Sequence, residues 1–449
     1  MPRRPLLPLL ALIIVSLAMA SCSAREEAPQ DPDDTGQPPI EDTTPREDTA
    51  IDVADTSTEP PTFEARSIEG RWIAGDFHVH ATGASNDAAP ESTRARIKEV
   101  AVERGLDFVV LTDHSNSTGS DPTTLDEDPE LFNQGPEFPF WERAAELSDA
   151  SFIMVQGNEI SPVNPNVGRP TGHVGCIPRS LTNFDPNVAF IDRPRGEVTG
   201  GDALDQAIHV GCFAILNHPY GVNWISYDWT SDAYQGMEVW NGGAGFSSWD
   251  RQALDAWACD LSRGRRVTAV GGSDNHKIEV EPPGTLLDPP LGVPTTYVWG
   301  ASLDWDEVVT SLDARRVSIS DTGRPLELDV HAGDGRWLGM TGDEVASEDA
   351  LWLRVRGHLS NVPDGEERRL KVYRVPPDSC DDNRTPNTIR VPTPNLDILY
   401  DELVTNDTEI DLTLGITPAP GDAFFAFVGP ENTRMQEAGV SLTNPVFTR

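Results

Sequence analysis

Positive charge is scarce in this 449-residue chain: 34 Lys+Arg stand against 73 Asp+Glu, a formal net charge of −39. So acidic a surface repels DNA, RNA and anionic lipid, so a non-specific nucleic-acid binder is not expected. Long apolar runs are also lacking. The one near the amino terminus, Leu6 to Ala20, is too short for a membrane-spanning helix, and no later stretch reaches the necessary length. Only five cysteines occur, their spacing matches no zinc motif, and no internal repeat is found. Wholesale disorder and fibrous folds are excluded by composition, because 38% hydrophobic residues together with 37 glycines lie in the globular range. A chain of this length is expected to form two or three domains.

What is present begins with an export signature. Arg3 and Arg4 precede the apolar run, and small residues follow it, as in a secretory signal peptide over residues 1–22. Met19-Ala20-Ser21-Cys22 resembles a bacterial lipobox, which implies lipidation of Cys22 and membrane contact only through that anchor, on the periplasmic or outer surface. Cleavage after Ala18-Met19-Ala20, releasing a soluble secreted protein, is the alternative. Residues 23–66 are acidic and proline-rich with few large apolar side chains, and read as a disordered, self-repelling linker. In an exported protein Cys176, Cys212, Cys259 and Cys380 are free to pair. Spacing selects no pairing, and buried thiols remain an equal reading for Cys212 and Cys259.

Over residues 67–318, β-branched runs alternate with helical apolar spacing. Strands are expected at Trp72–Val79, Asp107–Leu111, Phe152–Val155, Cys212–Leu216, Met237–Trp240 and Val267–Val270. Helices are expected at Ser92–Arg104, Phe140–Leu147, Asp202–Val210 and Trp249–Arg263. Such alternation predicts a parallel α/β sheet, open or closed into a barrel. Over residues 319–449 the pattern becomes strand and turn, with Leu326–His331, Leu351–Gly357, Leu370–Val375 and Ala423–Val428 as strands of an appended antiparallel, sandwich-like β domain.

Five polar strings directly follow apolar strand patterns: Asp76-Phe-His78-Val-His80, Asp113-His114, Asn158-Glu159, Asn217-His218 and Asp274-Asn-His276. His173 is a sixth histidine candidate. In parallel α/β barrels the strand ends converge at one mouth. Imidazole nitrogens and carboxylate oxygens gathered there form a ligand set for divalent ions, which lower the pKa of bound water for hydrolysis. His78 and His80 are two apart and on a strand share a face. Any single strand-end histidine is commonly structural, but five strings at the same end of successive strands point to one multinuclear site. His209, His331 and His358 lie in a helix pattern or in the β domain and are read as structural.

The order of these motifs resembles the PHP (polymerase and histidinol phosphatase) superfamily over Arg71 to Lys277, with the string from Gly105 to Ser115 especially similar. The resemblance implies a distorted (β/α)7 barrel holding two to three divalent ions of Zn, Mn or Fe. It implies that His78 and His80 bind a first ion with Glu159 and Asp274, and that Glu159 bridges to a second ion held by His173 and His218. His114 and His276 would hold a third. The family's further ligand after the paired histidines is missing: Asn86 stands at one common spacing, with Asp87 next to it as the substitute. Asp76 and Asp113 match positions that orient imidazoles. Gly236-Met-Glu-Val-Trp-Asn241, Gly292-Val-Pro-Thr-Thr-Tyr297 and Thr443-Asn-Pro445 resemble the exported carbaryl-hydrolase branch, which joins such a barrel to a C-terminal β domain.

The chemistry expected is metal-dependent hydrolysis, with Glu159 and Asp274 as catalytic metal-bridging carboxylates and a phosphomono- or phosphodiester as substrate. Arg169 and Lys277 flank ligands and are candidates for holding an anionic group, with Trp240 and Asn241 as further substrate contacts. Trp224, Trp229, Trp240, Tyr227 and Tyr234 offer an apolar wall, favouring an aryl ester or carbamate as the alternative; Trp249 and Trp257 are read as helix packing. A non-enzymatic, metal-stabilised binding module is the rival from another class. The partner expected is a small-molecule ester, with no nucleic-acid polymer.

Overall fold

The computed structural model describes residues 59–82, 85, 87–114, 144–161, 172–181, 199–221, 225–243, 245–285, 288–347, 350–431 and 436–449. The signal segment, Cys22 and Arg169 lie outside them, as do Asn86, Trp224 and the first half of the helix expected at Phe140–Leu147.

The first part of the chain runs β1 (Arg71–Val79), α1 (Arg94–Glu103), β2 (Phe108–Leu111), β3 (Ile153–Gln156), β4 (Asn158–Ile160), β5 (His173–Pro178), α2 (Gly200–His209), β6 (Cys212–Asn217), β7 (Gly236–Asn241), α3 (Ser248–Ser262), β8 (Thr268–Gly272), β9 (Thr295–Gly300), α4 (Trp305–Asp313) and β10 (Val317–Ser320). Thr93, Thr199, Ser247 and Asp304 cap the four helices, each side chain accepting a first-turn amide.

Two sheets result. In one, β1 pairs in parallel with β2, β2 with β3, and β9 and β10 add antiparallel on the other side of β1. In the other, β4, β5 and β6 pair antiparallel, and β6, β7 and β8 in parallel. Their facing sides share a core: Ile73, Phe108, Val110 and Val155 meet Ile177, Phe213, Ile215 and Val270. The expected (β/α)7 barrel is not confirmed: among the described residues the sheets are not closed, and the fold is a mixed α/β arrangement with many strands and few helices. The chain passes from one sheet to the other at Gly157, where a Cβ would meet the Cys176 carbonyl oxygen at 2.7 Å. Short bridges, Val79 to Asn275 and His114 to Glu159, stand at the seams in place of continuous ladders. Ladder pairing therefore gives way where the polar strings lie.

The remaining strands are β11 (Glu327–Ala332), β12 (Trp337–Met340), β13 (Glu344–Val345), β14 (Leu351–Leu359), β15 (Arg368–Val375), β16 (Cys380–Asp381), β17 (Thr393–Pro394), β18 (Asp397–Val404), β19 (Thr408–Ile416), β20 (Ala423–Gly429), β21 (Ser441–Thr443) and β22 (Val446–Thr448). Strands β12, β11, β14 and β19 form one sheet. It packs on a second through Leu328, Leu353 and Val355 against Val372, Phe424 and Ala426. That second sheet is continuous with the first part of the chain, since β21 pairs with β10. Every residue of β20 is buried, as expected of a strand covered on both faces. Its far side packs on α3, with Phe425 and Trp257 rings 5.2 Å apart. The cysteines pair as Cys176–Cys212, between β5 and β6, and Cys259–Cys380, which ties α3 to β16.

Residues 63–66, expected within the linker, dock on this β region. The Phe63 ring lies 4.5 Å from that of His331, and Arg66 reaches Asp329 at 2.7 Å and Glu327 at 2.5 Å. These two side chains supply an aromatic face and a buried cation that most of the preceding segment lacks. Burial alone would raise the Asp329 carboxyl, but Arg66 and Arg356 hold it below the usual carboxylate value. Its contribution to stability is therefore fully present above an unfolded pKa of about 4 and is lost as pH falls through the lower folded value. Since Arg356 remains on Asp329 at 2.8 Å, Arg66→Ala is expected to cost about 1–3 kcal/mol in urea unfolding near neutral pH. The difference from wild type should shrink below about pH 4. A difference that stayed constant into acid would show that the pair carries none of it.

Candidate metal centre

The seams between the sheets bring all six candidate histidines to one place. His78 and His80 arrive on and just after β1, His114 after β2, Glu159 on β4, His173 at the start of β5, His218 after β6, and Asp274 and His276 after β8. Glu159 is central. Its Oε1 lies 3.0 Å from His218 Nε2, 3.1 Å from His173 Nδ1 and 3.3 Å from His78 Nε2, while its Oε2 lies 2.8 Å from His114 Nδ1. Asp274 Oδ1 is 3.2 Å from His78 Nε2 and 3.1 Å from His80 Nε2. Asp87, the substitute ligand, places Oδ2 at 3.3 Å from His114 Nε2 and 3.4 Å from His276 Nε2.

These atoms fall into overlapping groups whose ligand atoms all lie within 4.8 Å of one another: His80, Asp87, His114 and His276; His78, His80 and Glu159; His78, His218 and Asp274; His114, Glu159 and His173. Glu159 belongs to two groups, as a bridging carboxylate must. The expected ligand residues are brought together, but in different groups: Asp274 and His218 join His78, His114 joins Glu159 and His173, and His80 joins Asp87, His114 and His276.

The electrostatics show what the cluster requires. Burial would push the Glu159 carboxyl up, yet His173, His78 and His114 hold it well below its usual value, and Asp274 is held down likewise by His78, His80 and His276. Not every imidazole can supply that positive charge. Burial and the neighbouring His276 lower His80 to about 3, and His173 is also lowered, chiefly by burial. Nε2 of His78 and His80, Nδ1 of His173 and His218, and Oε2 of Glu159 are buried without a hydrogen-bond partner. Buried polar atoms without partners are costly. Divalent cations satisfy these nitrogens and carboxylates together, and the N/O donor set suits Zn, Mn or Fe.

Asp76 and Asp113 act on the main chain rather than on imidazole rings, which corrects their expected role. Asp76 accepts the amides of His78, Ser273 and Gly292. Asp113 accepts the Ala81 amide at 2.7 Å and pairs with Arg94 and Gln156. Ring orientation comes from residues that the motif reading missed. Glu238 Oε1 lies 3.0 Å from His78 Nδ1, and its Oε2 accepts the His218 amide and the Asn241 side chain. Ser85 and Ser161 hydroxyls meet Nδ1 of His80 and His114 at 2.9 and 2.7 Å. Gly272 makes room, since a Cβ there would meet His78 Cβ at 2.4 Å and Glu238 Oε1 at 2.6 Å. Glu238 was visible as the one acid of an apolar strand.

Beside the cluster lies a cleft of about 250 Å³ lined by His218, Asp274, His276 and Asn241 and by Tyr220, Ile225 and Trp249. Asn241 therefore stands where expected, 3.4 Å from Asp274 Oδ2. Trp240 does not: a bulge between Glu238 and Trp240 turns its indole into the core beside Phe246. Tyr227 and Tyr234 are also buried, bonded to Ser231 and Asp260. Trp249, read as helix packing, is a cleft wall instead, while Trp257 is core. Lys277 is at the surface, 2.5 Å from Asp288, so the expected hold on an anionic group is corrected. His331 and His358 lie in the β region, away from the cluster.

No protein-family profile matches the chain, and no curated protein matches it in sequence. Among solved structures it is similar to a two-domain protein from Bacteroides vulgatus containing a predicted PHP-like metal-dependent phosphoesterase, at 16% identity and a TM-score of 0.38 over 87% of this chain and 99% of that one. It is also similar to endonuclease Q in complex with a 27-mer duplex bearing an abasic lesion, at 15% identity and a TM-score of 0.35, over 54% of this chain and 56% of that one. Endonuclease Q from Pyrococcus furiosus gives 16% identity at the same coverage and TM-score. The chain thus spans about half the length of endonuclease Q. A similar protein with DNA at its active site overturns the expectation of no nucleic-acid polymer as partner. Net charge sums a whole surface, whereas substrate meets a local field.

The Glu238 contacts lead to a testable outcome. Glu238→Gln preserves volume but removes the anionic acceptor shared by His78, the His218 amide and Asn241. Metal affinity, read by chelator competition, is expected to fall about 10- to 100-fold with unchanged circular dichroism. Unaltered affinity would show that the carboxylate does not orient these ligands.

Proposed function

We propose that this chain is a metal-dependent phosphoesterase. The observation that carries the reading is the largely buried cluster of six imidazoles with Glu159, Asp274 and Asp87, in which Nε2 of His78 and His80 and Nδ1 of His173 and His218 are buried without hydrogen-bond partners. His78, His80, His114, His173, His218 and His276, with the three carboxylates, would hold two to three divalent ions. Ions of this kind supply Lewis acidity and a water of lowered pKa. The chain's own residues do the rest. Glu238, Ser85 and Ser161 fix the imidazole rings, and Asn217 donates to Glu159 Oε1 at 3.0 Å, orienting that carboxylate. Asn241 lines the cleft beside Asp274, where it can donate to an ester oxygen. Glu159 and Asp274 would take up a proton from attacking water.

The same proposal includes export, with Cys22 lipidated or the chain released as a soluble protein; the Cys176–Cys212 and Cys259–Cys380 pairs support an oxidising compartment. It also includes a division into a hydrolase unit over residues 67–318 and a β domain over 319–449. The aryl ester or carbamate alternative uses the same cluster, and the non-enzymatic module keeps the metals without the reaction.

Metal analysis of the full-length chain is expected to find at least one tightly bound transition metal. With Mn²⁺ or Zn²⁺ added, a panel of p-nitrophenyl phosphates, phosphodiesters, carboxylic esters, aryl carbamates and an oligonucleotide duplex should show turnover of phosphoesters. His78→Ala is expected to lower that rate about a hundredfold or more. Turnover of carbamates alone would select the alternative, metal without any turnover would select the binding module, and a full rate in His78→Ala would refute the mechanism.

A further inference from the structure

The cleft beside the cluster is lined by two chemically different sets of side chains. His218, Asp274 and His276 are polar members of the cluster, whereas Tyr220, Ile225, Trp249, Ala253 and Pro289 are apolar or aromatic. None of the described lining residues is lysine or arginine. The two lining carboxylates outside the cluster turn their oxygens into the protein: Asp250 accepts the amides of Asn241 and Ser247, and Glu238 is engaged by His78, His218 and Asn241. The lining outside the cluster thus offers a ligand apolar surface and little charge.

Trp249 is the notable wall. It lies near the start of α3, a helix whose later residues are almost all buried, yet it is itself 37% exposed. An indole left partly in water at the mouth of a cleft gains free energy when a flat apolar group covers it. Tyr220 stands nearly fully buried in the same cleft, its hydroxyl bonded to the Arg390 carbonyl at 3.0 Å, so its ring is fixed in place. Pro289 is anchored too, because its carbonyl accepts at 2.7 Å from the side chain of Asn275, the residue between Asp274 and His276. The walls are therefore rigid before a ligand arrives, which reduces the ordering cost of binding.

We propose that this cleft is the subsite for an uncharged aromatic ring carried by the ester whose phosphoryl group meets the metal cluster. The inference rests on the phosphoesterase reading and deepens it by naming the class of group esterified. Trp249 and Ala253 set how wide a ring is accepted.

The test titrates the metal-loaded full-length chain calorimetrically with two non-hydrolysable ligands, methylphosphonate and 1-naphthylmethylphosphonate. The naphthyl ligand is expected to bind about tenfold or more tightly than the methyl one. Trp249→Ala should remove most of that ratio, and Trp249→Phe should restore much of it. Ala253→Phe, which fills the cleft, should lower naphthyl affinity more than methyl affinity. Equal affinities in the wild-type protein, or a ratio unchanged in Trp249→Ala, would overturn the subsite and leave the phosphoesterase reading standing. Failure of both phosphonates to bind in a metal-dependent way would overturn that reading and the subsite with it.

Discussion

A carboxylate held out of water must be compensated, and Glu159 is 1% exposed. Five imidazoles, those of His78, His80, His114, His173 and His218, surround it, and the local backbone is bent to bring them there. His218 and Asp274 have φ of 27° and 54°, conformations that cost a non-glycine residue of order 1–3 kcal/mol. Each is held by a specific bond: the His218 amide to Glu238, and the Asp274 amide to the His78 carbonyl at 2.8 Å. Strain at the two positions is thus maintained by one contact to Glu238, beside the cluster, and one to His78 within it. The interruption of the ladders has the same origin. A strand end cannot both continue pairing and turn its side chain toward a common centre.

The β region bears on the site through α3. That helix carries Asp250, which fixes the Asn241 amide, and Trp249, which walls the cleft. Its other face is covered by Phe425 of β20, and its Cys259 is bonded to Cys380. The loop between β7 and α3 is held from the same side, where Phe246 forms a bridge with Glu437. Removing the later strands would therefore leave one wall of the cleft without support. This gives the second half of the chain a role in the chemistry without contributing a metal ligand.

Which parts were legible in the sequence follows from how local each signal is. His78 and His80 are two apart on a strand, so their shared face needs nothing more than strand periodicity. Asp87 was readable as the acid beside a poor ligand. Glu238 escaped because its role depends on β1 lying against β7 and β8, a tertiary fact, and because its motif was noted for likeness alone. Trp240 failed for the opposite reason: alternation placed it on the face of Glu238, and a bulge invisible in sequence turned it away. Lys277 failed because a partner eleven residues on, Asp288, captures it. Strand and helix alternation predicted a parallel sheet, open or closed, but does not report that β4, β5, β9 and β10 run antiparallel to their neighbours.

The scarcity of positive charge acquires a different meaning at the site. Over the whole chain the acids outnumber the bases, 73 to 34. Within the cluster the count is of three carboxylates, Glu159, Asp274 and Asp87, and of imidazoles that are neutral when they serve as ligands. Two divalent ions outweigh three carboxylates, so a loaded site is positive inside a negative protein. The remaining acids of the cleft, Asp250 and Glu238, are bonded inward and do not face the ligand. A negative surface slows the approach of an anion, but the sign of the field at the point of contact decides whether it stays. An ester of the proposed kind would bring its charged group to the ligand cluster and its uncharged portion to Trp249.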